Sequence, residues 1–592
     1  MEGVNGVDDL LAVEGPDFVL ALIEGAKPAQ VKVPAGFRLA ENGVYAVDQT
    51  GDKEDVFICS SLSIVAATRN QDGEDWGRLL EFKDPDGLTH SWAMPMSLLS
   101  GDGNEYRSRL LSEGLTIAPS RKARELLTIY IQSSHPDERV RCVSRVGWHN
   151  GAFVLPDETF SPTGMEQILF QTVSEPNHRL RVAGTLQDWQ EHISRCCVGN
   201  SRLAFAVSCA FAGPLLPLTG EGGGGFHYRG ASSIGKTTAQ LVAGSVWGGD
   251  KSKGYLQSWR ATINGLESVS ELHNHGLLCL DEIGQCDPRE VGEVAYMLAN
   301  GIGKARMSRG LTSRRRFEWD LIFLSSGERG LSDLAESTGK RIRGGQAVRM
   351  CDLEVDAGAG LGGFETLHGF ASASDLARHL GAMSKQFYGA PIRAYLAELT
   401  NYQEAIVVAA RNLRRTFLAE HVPDDASSEV SRAASRFALV AAAGESASEI
   451  TGWRSGEALG AAAKMFQVWL DGRGTKGSSD VEAAIKQVRG FLEAHGSSRF
   501  QSVEDDFGRV NNRVGFKRTN SQEQTEYLIL PESFRKEICA SYDARTVAKT
   551  LADRGYLRRG DGKNLMCRET LPEIGRTRVY VLLSTLLNAE VT

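Results

Sequence analysis

The chain has 592 residues, enough for three or four domains at roughly 150 residues each. Its composition, 42% hydrophobic and 24% charged, is that of an ordinary globular protein and excludes a disordered or fibrous one. With 66 Lys and Arg against 74 Asp and Glu the formal charge is -8, which excludes a protein that coats nucleic acid with its whole surface, so any contact with DNA must be local.

The N-terminus "MEGVNGVDDLLAVEG" is acidic, and no run approaches about 18 consecutive apolar residues. The expectation is a cytoplasmic protein with no signal peptide and no membrane partner. Residues 1–120 alternate short apolar runs such as "VYAV" and "DVFICSSLSIVAAT" with turns rich in Asp and Gly, which predicts a mostly β N-terminal module. A connecting α/β segment follows over 121–185, where "SRKARELLTIYIQSS" has helical periodicity and "RCVSRVGWHNGAFVLP" reads as strands. Residues 186–370 read as an α/β core that opens on the helical "LQDWQEHISRCCVGNSRLAFAVSCAFAGPLLPL". Residues 371–480 are almost wholly helical and end at the polar "GRGTKGSSD". In 481–592, "VEAAIKQVRGFLEAHG", "DARTVAKTLADRGYLRR" and the basic "RTRVYVLL" predict a winged helix-turn-helix. The ten cysteines are scattered without C-x-x-C or zinc spacing, so reduced thiols are expected.

Within the α/β core, "EGGGGFHYRG" is a short strand that runs into "GASSIGKTT", which fits G-x-x-x-x-G-K-[ST] at every fixed position. Glycines let loop N–H groups turn inward on phosphate oxygens, and the following helix "KTTAQLVAGSVWG" presents its positive end. Gly230, Ala231, Ser232, Ser233, Ile234, Gly235, Lys236, Thr237 and Thr238 are therefore the candidate ATP cradle. Lys236 is expected on the β and γ phosphates and Thr237 on Mg²⁺. The alternative is a chance match among 64 glycines, against which the flanking strand and helix argue.

In "HGLLCLDEIGQ" four apolar residues run into Asp281 and Glu282. A buried parallel strand ending in two carboxylates suits an ATPase, with Asp281 in the Mg²⁺ shell and Glu282 orienting the attacking water. The alternative is an ordinary strand entering an acidic turn. "WDLIFLSSGE" is another apolar strand, where Ser325 or Ser326 is either the γ-phosphate sensor of an additional-strand ATPase or a plain strand end. Between them, Lys304, Arg306, Arg309, Arg314, Arg315 and Arg316 fall in a stretch without an acid. A hairpin there presents cations to phosphates, the alternative being a solvated surface.

Downstream, an arginine supplied to the neighbouring subunit is expected, Arg349 first and Arg343 second, unless these are surface ion-pair residues. Arg432 and Arg436, one helical turn apart, are candidates for a second nucleotide sensor or are surface arginines. Arg545, Lys549, Arg558 and Arg559 are the candidate DNA contacts of the winged helix, which serves equally as a protein contact or flap.

The strings "HYRGASSIGKTTAQLVAGSVWG", "WRATINGLESVSELHNHGLLCLDEIGQ", "YMLANGIGKARMSRG" and "GKRIRGGQAVRMCDLEVDAGAGLGGFETLHG" resemble a bacterial and prophage family, domain of unknown function 927. Its relatives include the helicases of staphylococcal cassette chromosomes, similar to minichromosome-maintenance (MCM) helicases. The resemblance covers about residues 130–500 and says little about residues 1–120. It implies a hexameric AAA+ ring with Lys304 and Arg306 on a hairpin in the pore. It further implies ATP and Mg²⁺ as cofactors, single-stranded and forked DNA as partners, and a nucleoid location. A primase, polymerase or initiator of the same mobile element is the implied further partner. The leading expectation is an ATP-dependent DNA helicase for replication of such an element. The alternative is an ATP-switched DNA-binding initiator without unwinding activity.

Overall fold

The computed structural model describes residues 32–48, 54–172, 178–304, 316–337, 348–473, 479–504, 510–540, 542–562 and 564–588. The chain folds as two compact units, Met1–Asn177 and His178–Thr592.

The first unit is built on a mixed five-stranded sheet in the order Gln167–Phe170, Arg139–Val143, Leu62–Arg69, Gly77–Lys83, Thr89–Pro95. The first two pairings are parallel and the rest antiparallel. Helix Arg121–Ser133 starts where the Ser120 side chain accepts from Ala123 N, and it buries Ala123, Leu127, Tyr130 and Ile131 along one stripe. Leu127, Tyr130 and Ile131 pack with Ile58, Leu62, Ile64, Leu80 and Phe82 of the strands. Two three-stranded meanders complete the unit.

In the second unit five strands form one parallel sheet: β1 (Gly224–Arg229), β2 (Gln257–Ser258), β3 (Leu277–Asp281), β4 (Ile322–Gly327) and β5 (Met350–Glu354). Their order is β5-β1-β4-β3-β2, and every pairing is parallel. Strand β4 is thus inserted between β1 and β3. The near-continuous apolar runs of β3 and β4 follow from burial on both faces. Helix α1 (Lys236–Trp247) follows β1. Helix Ser201–Ala212 is buried at every residue, and the stretch Ser201–Thr219, long and apolar enough to cross a membrane, is 83% buried inside the protein.

Five long helices follow the sheet: Ala373–Met383, Ala390–Asn401, Gln403–His421, Ser428–Ser446 and Glu457–Arg473. Phe437 of the fourth packs its ring on Phe226 of β1 at 4.9 Å and Phe205 at 5.5 Å, which fixes these helices against the sheet. The chain then forms a further sheet, which includes β6 (Cys567–Leu571) and β7 (Gly575–Leu583) as an antiparallel hairpin. Helices Ser479–His495 and α2 (Ala544–Asp553) pack against this sheet through Ile485, Val488, Leu492, Val547 and Leu551.

Candidate functional site

Strands β4 and β5 flank β1, and the crevice beyond the carboxyl ends of such strands is where open α/β sheets bind ligands. The loop Gly230–Gly235 lies there. Gly235 has φ 101° and caps α1, a left-handed conformation that favours glycine, and an added Cβ would press on the Phe364 ring at 3.3 Å. Ser233 takes φ 65° inside the same loop. The Lys236 ammonium folds over the loop and donates to the carbonyls of Gly230 at 2.8 Å and Ala231 at 2.6 Å.

The carboxyl ends of β3 and β4 close over the start of α1. Ser326 donates its hydroxyl to Asp281 Oδ1 at 2.7 Å, and Thr237 Oγ1 lies 3.3 Å from that same oxygen. Glu282 follows at φ 58°, ψ 80°, a strained region for a residue with a side chain, and its N–H donates to Ser326 Oγ at 3.1 Å. Lys236, Thr237, Asp281, Glu282 and Ser326 are therefore brought together. One hydroxyl and one carboxylate side by side fit Mg²⁺, which takes few protein oxygens beside phosphates and water.

Ser325 is not part of this group. Side chains alternate along a strand, so Ser325 and Ser326 point to opposite faces. Ser325 is fully buried and accepts from Trp259 Nε1 at 3.0 Å, with His227 Nδ1 at 2.9 Å. His227 Nε2 meets the Arg329 carbonyl at 3.0 Å. A carbonyl only accepts, so Nε2 carries the proton and Nδ1 accepts from Ser325. Burial holds His227 in this neutral form by lowering its pKa to about 4. The expectation of a sensor at Ser325 is corrected to a structural role beneath the site.

Arg436 is a second correction. Its guanidinium donates to Val348 O at 2.9 Å and Gly223 O at 3.4 Å, and it lies against Gly224 at the amino end of β1. Six strand residues, about 20 Å, separate that end from the phosphate loop. Packing of Phe437 fixes the helix there, so Arg436 serves the sheet's lower edge and not a nucleotide in the loop. Arg432, one turn earlier, is exposed and donates to Ser428 O. Arg349 also belongs to the amino edge, preceding β5, with its guanidinium 4.5 Å from the centre of the Tyr296 ring. It is remote from its own phosphate loop.

In the basic stretch, Ile302 pairs with Glu318, and Gly303 N donates to Phe317 O at 2.9 Å, so its two ends run antiparallel. Lys304 pairs with Glu293 at 3.2 Å, and Arg316 donates to Gly303 O. Arg306, Arg309, Arg314 and Arg315 lie outside the described residues, as does Arg343. Arg545 and Lys549 are exposed on α2. Arg558 is engaged by Glu569 at 2.6 Å, and Arg559 by Asp553.

Three contributors escaped the sequence. Gln240, one turn beyond Lys236, donates to both Leu280 O at 2.9 Å and Leu324 O at 2.8 Å, tying β3 to β4 beneath the site. Arg229, the last residue of β1, faces Glu354 at 3.5 Å beside the loop. On β5, Asp352 accepts from Leu331 N at 3.2 Å, and burial raises its pKa to about 7. The i+4 spacing from Lys236 was the one available signal, for Gln240; the others depend on strand register.

Residues 37–316 match the family described as "Domain of unknown function (DUF927)". The match begins well before residue 120, so the family extends further into the first unit than the sequence strings suggest, and it stops short of β4 and β5. No curated protein matches the sequence. Among solved structures, "SCCmec type IV Cch - active helicase" superposes with a TM-score of 0.70 at 16% identity, covering 95% of this chain and 100% of that one. The two chains therefore share a fold along nearly their whole length. "The A form apo structure of NrS-1 C terminal region-CTR" aligns at a TM-score of 0.24 and 9% identity over 66% of this chain and 88% of that one, too loosely to define a common fold.

Proposed function

We propose that this DUF927 chain is an ATP-dependent DNA helicase, an MCM-like hexameric AAA+ ring that translocates on single-stranded DNA during replication of a mobile element. The observation that carries the reading is the group Thr237, Asp281, Glu282 and Ser326 at the carboxyl edge, beside a phosphate loop whose lysine rests on its own carbonyls. Residues 186–370 are the AAA+ core in this reading, 371–480 its lid and 481–592 a winged helix. The mostly β module of residues 1–120 precedes them, joined by 121–185.

Lys236 exchanges the Gly230 and Ala231 carbonyls for the β and γ phosphates of ATP. Thr237 and Asp281 hold Mg²⁺, which when bound neutralises charge on those phosphates. Ser326 fixes the Asp281 oxygen by its hydrogen bond, and Glu282 orients the attacking water. Arg349, or Arg343, reaches the ATP of the next subunit and stabilises charge there. Lys304 and Arg306, with Arg309, Arg314, Arg315 and Arg316, contact the phosphates of the translocated strand. Exposed Arg545 and Lys549 face DNA from the winged helix.

The test is displacement of one strand from forked DNA by the wild type and by Glu282→Gln, with assembly mass measured with and without ATP. Displacement by a hexamer that vanishes in the variant supports the motor. ATP hydrolysis without displacement on forks of either polarity overturns it in favour of an initiator switch.

A further inference from the structure

The β6–β7 hairpin has two faces of opposite electrostatic character. On one, Glu569 accepts from Arg518 at 2.9 Å and Arg558 at 2.6 Å, and Arg518 also pairs with Glu526 at 2.8 Å, so cations and acids balance. On the other, Arg568 stands directly opposite Arg578, and Thr570 opposite Arg576. These three arginines are exposed, and among the described residues none has an ion pair. Like charges at facing positions, with Cβ atoms about 5 Å apart, oppose strand pairing. Among the described residues no ion pair within the hairpin offsets that repulsion.

The charge continues onto α2. Alternation along β7 puts Arg576, Arg578 and Tyr580 on one face. The Tyr580 ring stacks on Phe534 at 4.3 Å, and its hydroxyl feels the charges of Arg535 and, at the start of α2, of Asp543 and Arg545. Arg545 and Lys549 are exposed, one turn apart. Asp543, the acid beside Arg545, is engaged as the helix cap, accepting from Thr546 N at 2.8 Å and Thr546 Oγ1 at 2.7 Å.

We infer that Arg568, Arg576 and Arg578, continued by Arg545 and Lys549, form a docking strip for the phosphate backbone of duplex DNA, which reads no sequence. Two facing guanidinium groups present a concentration of donors suited to a shared phosphate. Tyr580, the aromatic residue on this face, already has its ring stacked on Phe534, which favours a duplex over an unpaired base that needs such a ring. Arg558 and Arg559, held by acids, lie outside the strip. The inference rests on the DNA-motor reading for its partner alone, and not on ATP hydrolysis.

The experiment uses the full chain without nucleotide and a fluorescent blunt duplex of mixed sequence, titrated at several salt concentrations. Replacing Arg568, Arg576 and Arg578 together by Gln is expected to weaken binding at least about tenfold. The slope of log affinity against log salt should fall by about 3, equally for unrelated sequences. Arg578→Glu, which places an acid opposite Arg568, is expected to leave the melting temperature unchanged or raise it while duplex affinity falls. Melting temperature and affinity falling together in that variant, through a hairpin with only a structural role, overturns the inference. Unchanged duplex affinity in the triple variant also overturns it, and if assembly mass is lost there the face is a protein contact. Duplex binding by a wild type that hydrolyses no ATP removes the motor and leaves this site standing.

Discussion

The two edges of the parallel sheet are both polar, yet they are built on opposite principles. At the amino edge Arg436 and Asn274 pair with backbone groups of neighbouring segments, and Tyr296 covers Arg349. At the carboxyl edge Glu282 and Ser233 hold left-handed backbone, Thr237 is exposed, and Lys236 rests on carbonyls it can leave. The first edge engages its polar side chains with the backbone of neighbouring segments. The second keeps strain and replaceable partners, the state expected of a ligand site.

Substitutions at the two edges should therefore fail in different ways. The largest effect is expected from Glu282→Gln, which should cut ATP hydrolysis by about 10²–10⁴ while nucleotide binding persists. Steady-state hydrolysis beside equilibrium binding of a fluorescent ATP analogue measures both, and retained turnover would remove Glu282 from the chemistry. At the amino edge, Arg436→Met leaves two carbonyls without their donor and should cost about 2–3 kcal/mol in denaturant unfolding, with the KM for ATP unchanged. A raised KM with intact stability would return Arg436 to the nucleotide.

The row between the edges responds to pH. The folded pKa of Asp352 is raised to about 7, so the native state binds more protons than the unfolded chain between about pH 4 and 7, and stability falls as pH rises through that window. Asp352→Asn should remove this slope and gain about 1–2 kcal/mol over the wild type above pH 7, allowing for partial screening. His227 acts in the opposite sense. Its lowered pKa contributes stability that is present above pH 6.5 and lost as pH falls toward 4. Chemical denaturation at pH 5 and pH 8 separates the two, and a pH-independent difference between variant and wild type would refute the assignment.

The smallest effect, and the sharpest contrast, lies between adjacent serines. Ser325→Ala should cost about 1 kcal/mol of stability by stranding Trp259 Nε1, with hydrolysis retained. Ser326→Ala should leave stability nearly unchanged and slow hydrolysis about tenfold, because Asp281 loses its donor. Equal behaviour of the two would mean that strand alternation does not divide their roles.

What was legible in the sequence is what local spacing dictates. The loop around Lys236 and the strand ending at Asp281 and Glu282 are contiguous motifs, and their elements follow from runs of apolar residues. The choice between Ser325 and Ser326 was not legible, because it depends on which face of β4 meets His227 and Trp259. Arg436 misled for a related reason: its helical spacing from Arg432 says nothing about which end of the sheet the helix crosses. Gln240 is invisible as a clamp until β3 and β4 are adjacent. Of the basic stretch, the ends at Ile302 and Glu318 run antiparallel, and its central arginines lie outside the described residues.

The Gln240 clamp has a mechanical consequence. The paired ends of the basic stretch lie at the amino edge, and from Glu318 the chain enters β4 within a few residues and runs straight to Ser326. Strand β4 is a stiff rod about 20 Å long. Gln240 fastens it to β3 and to α1 at Leu324, midway along the strand. A displacement of β4 is thereby shared with β3 and α1, the elements that carry Asp281 and Lys236.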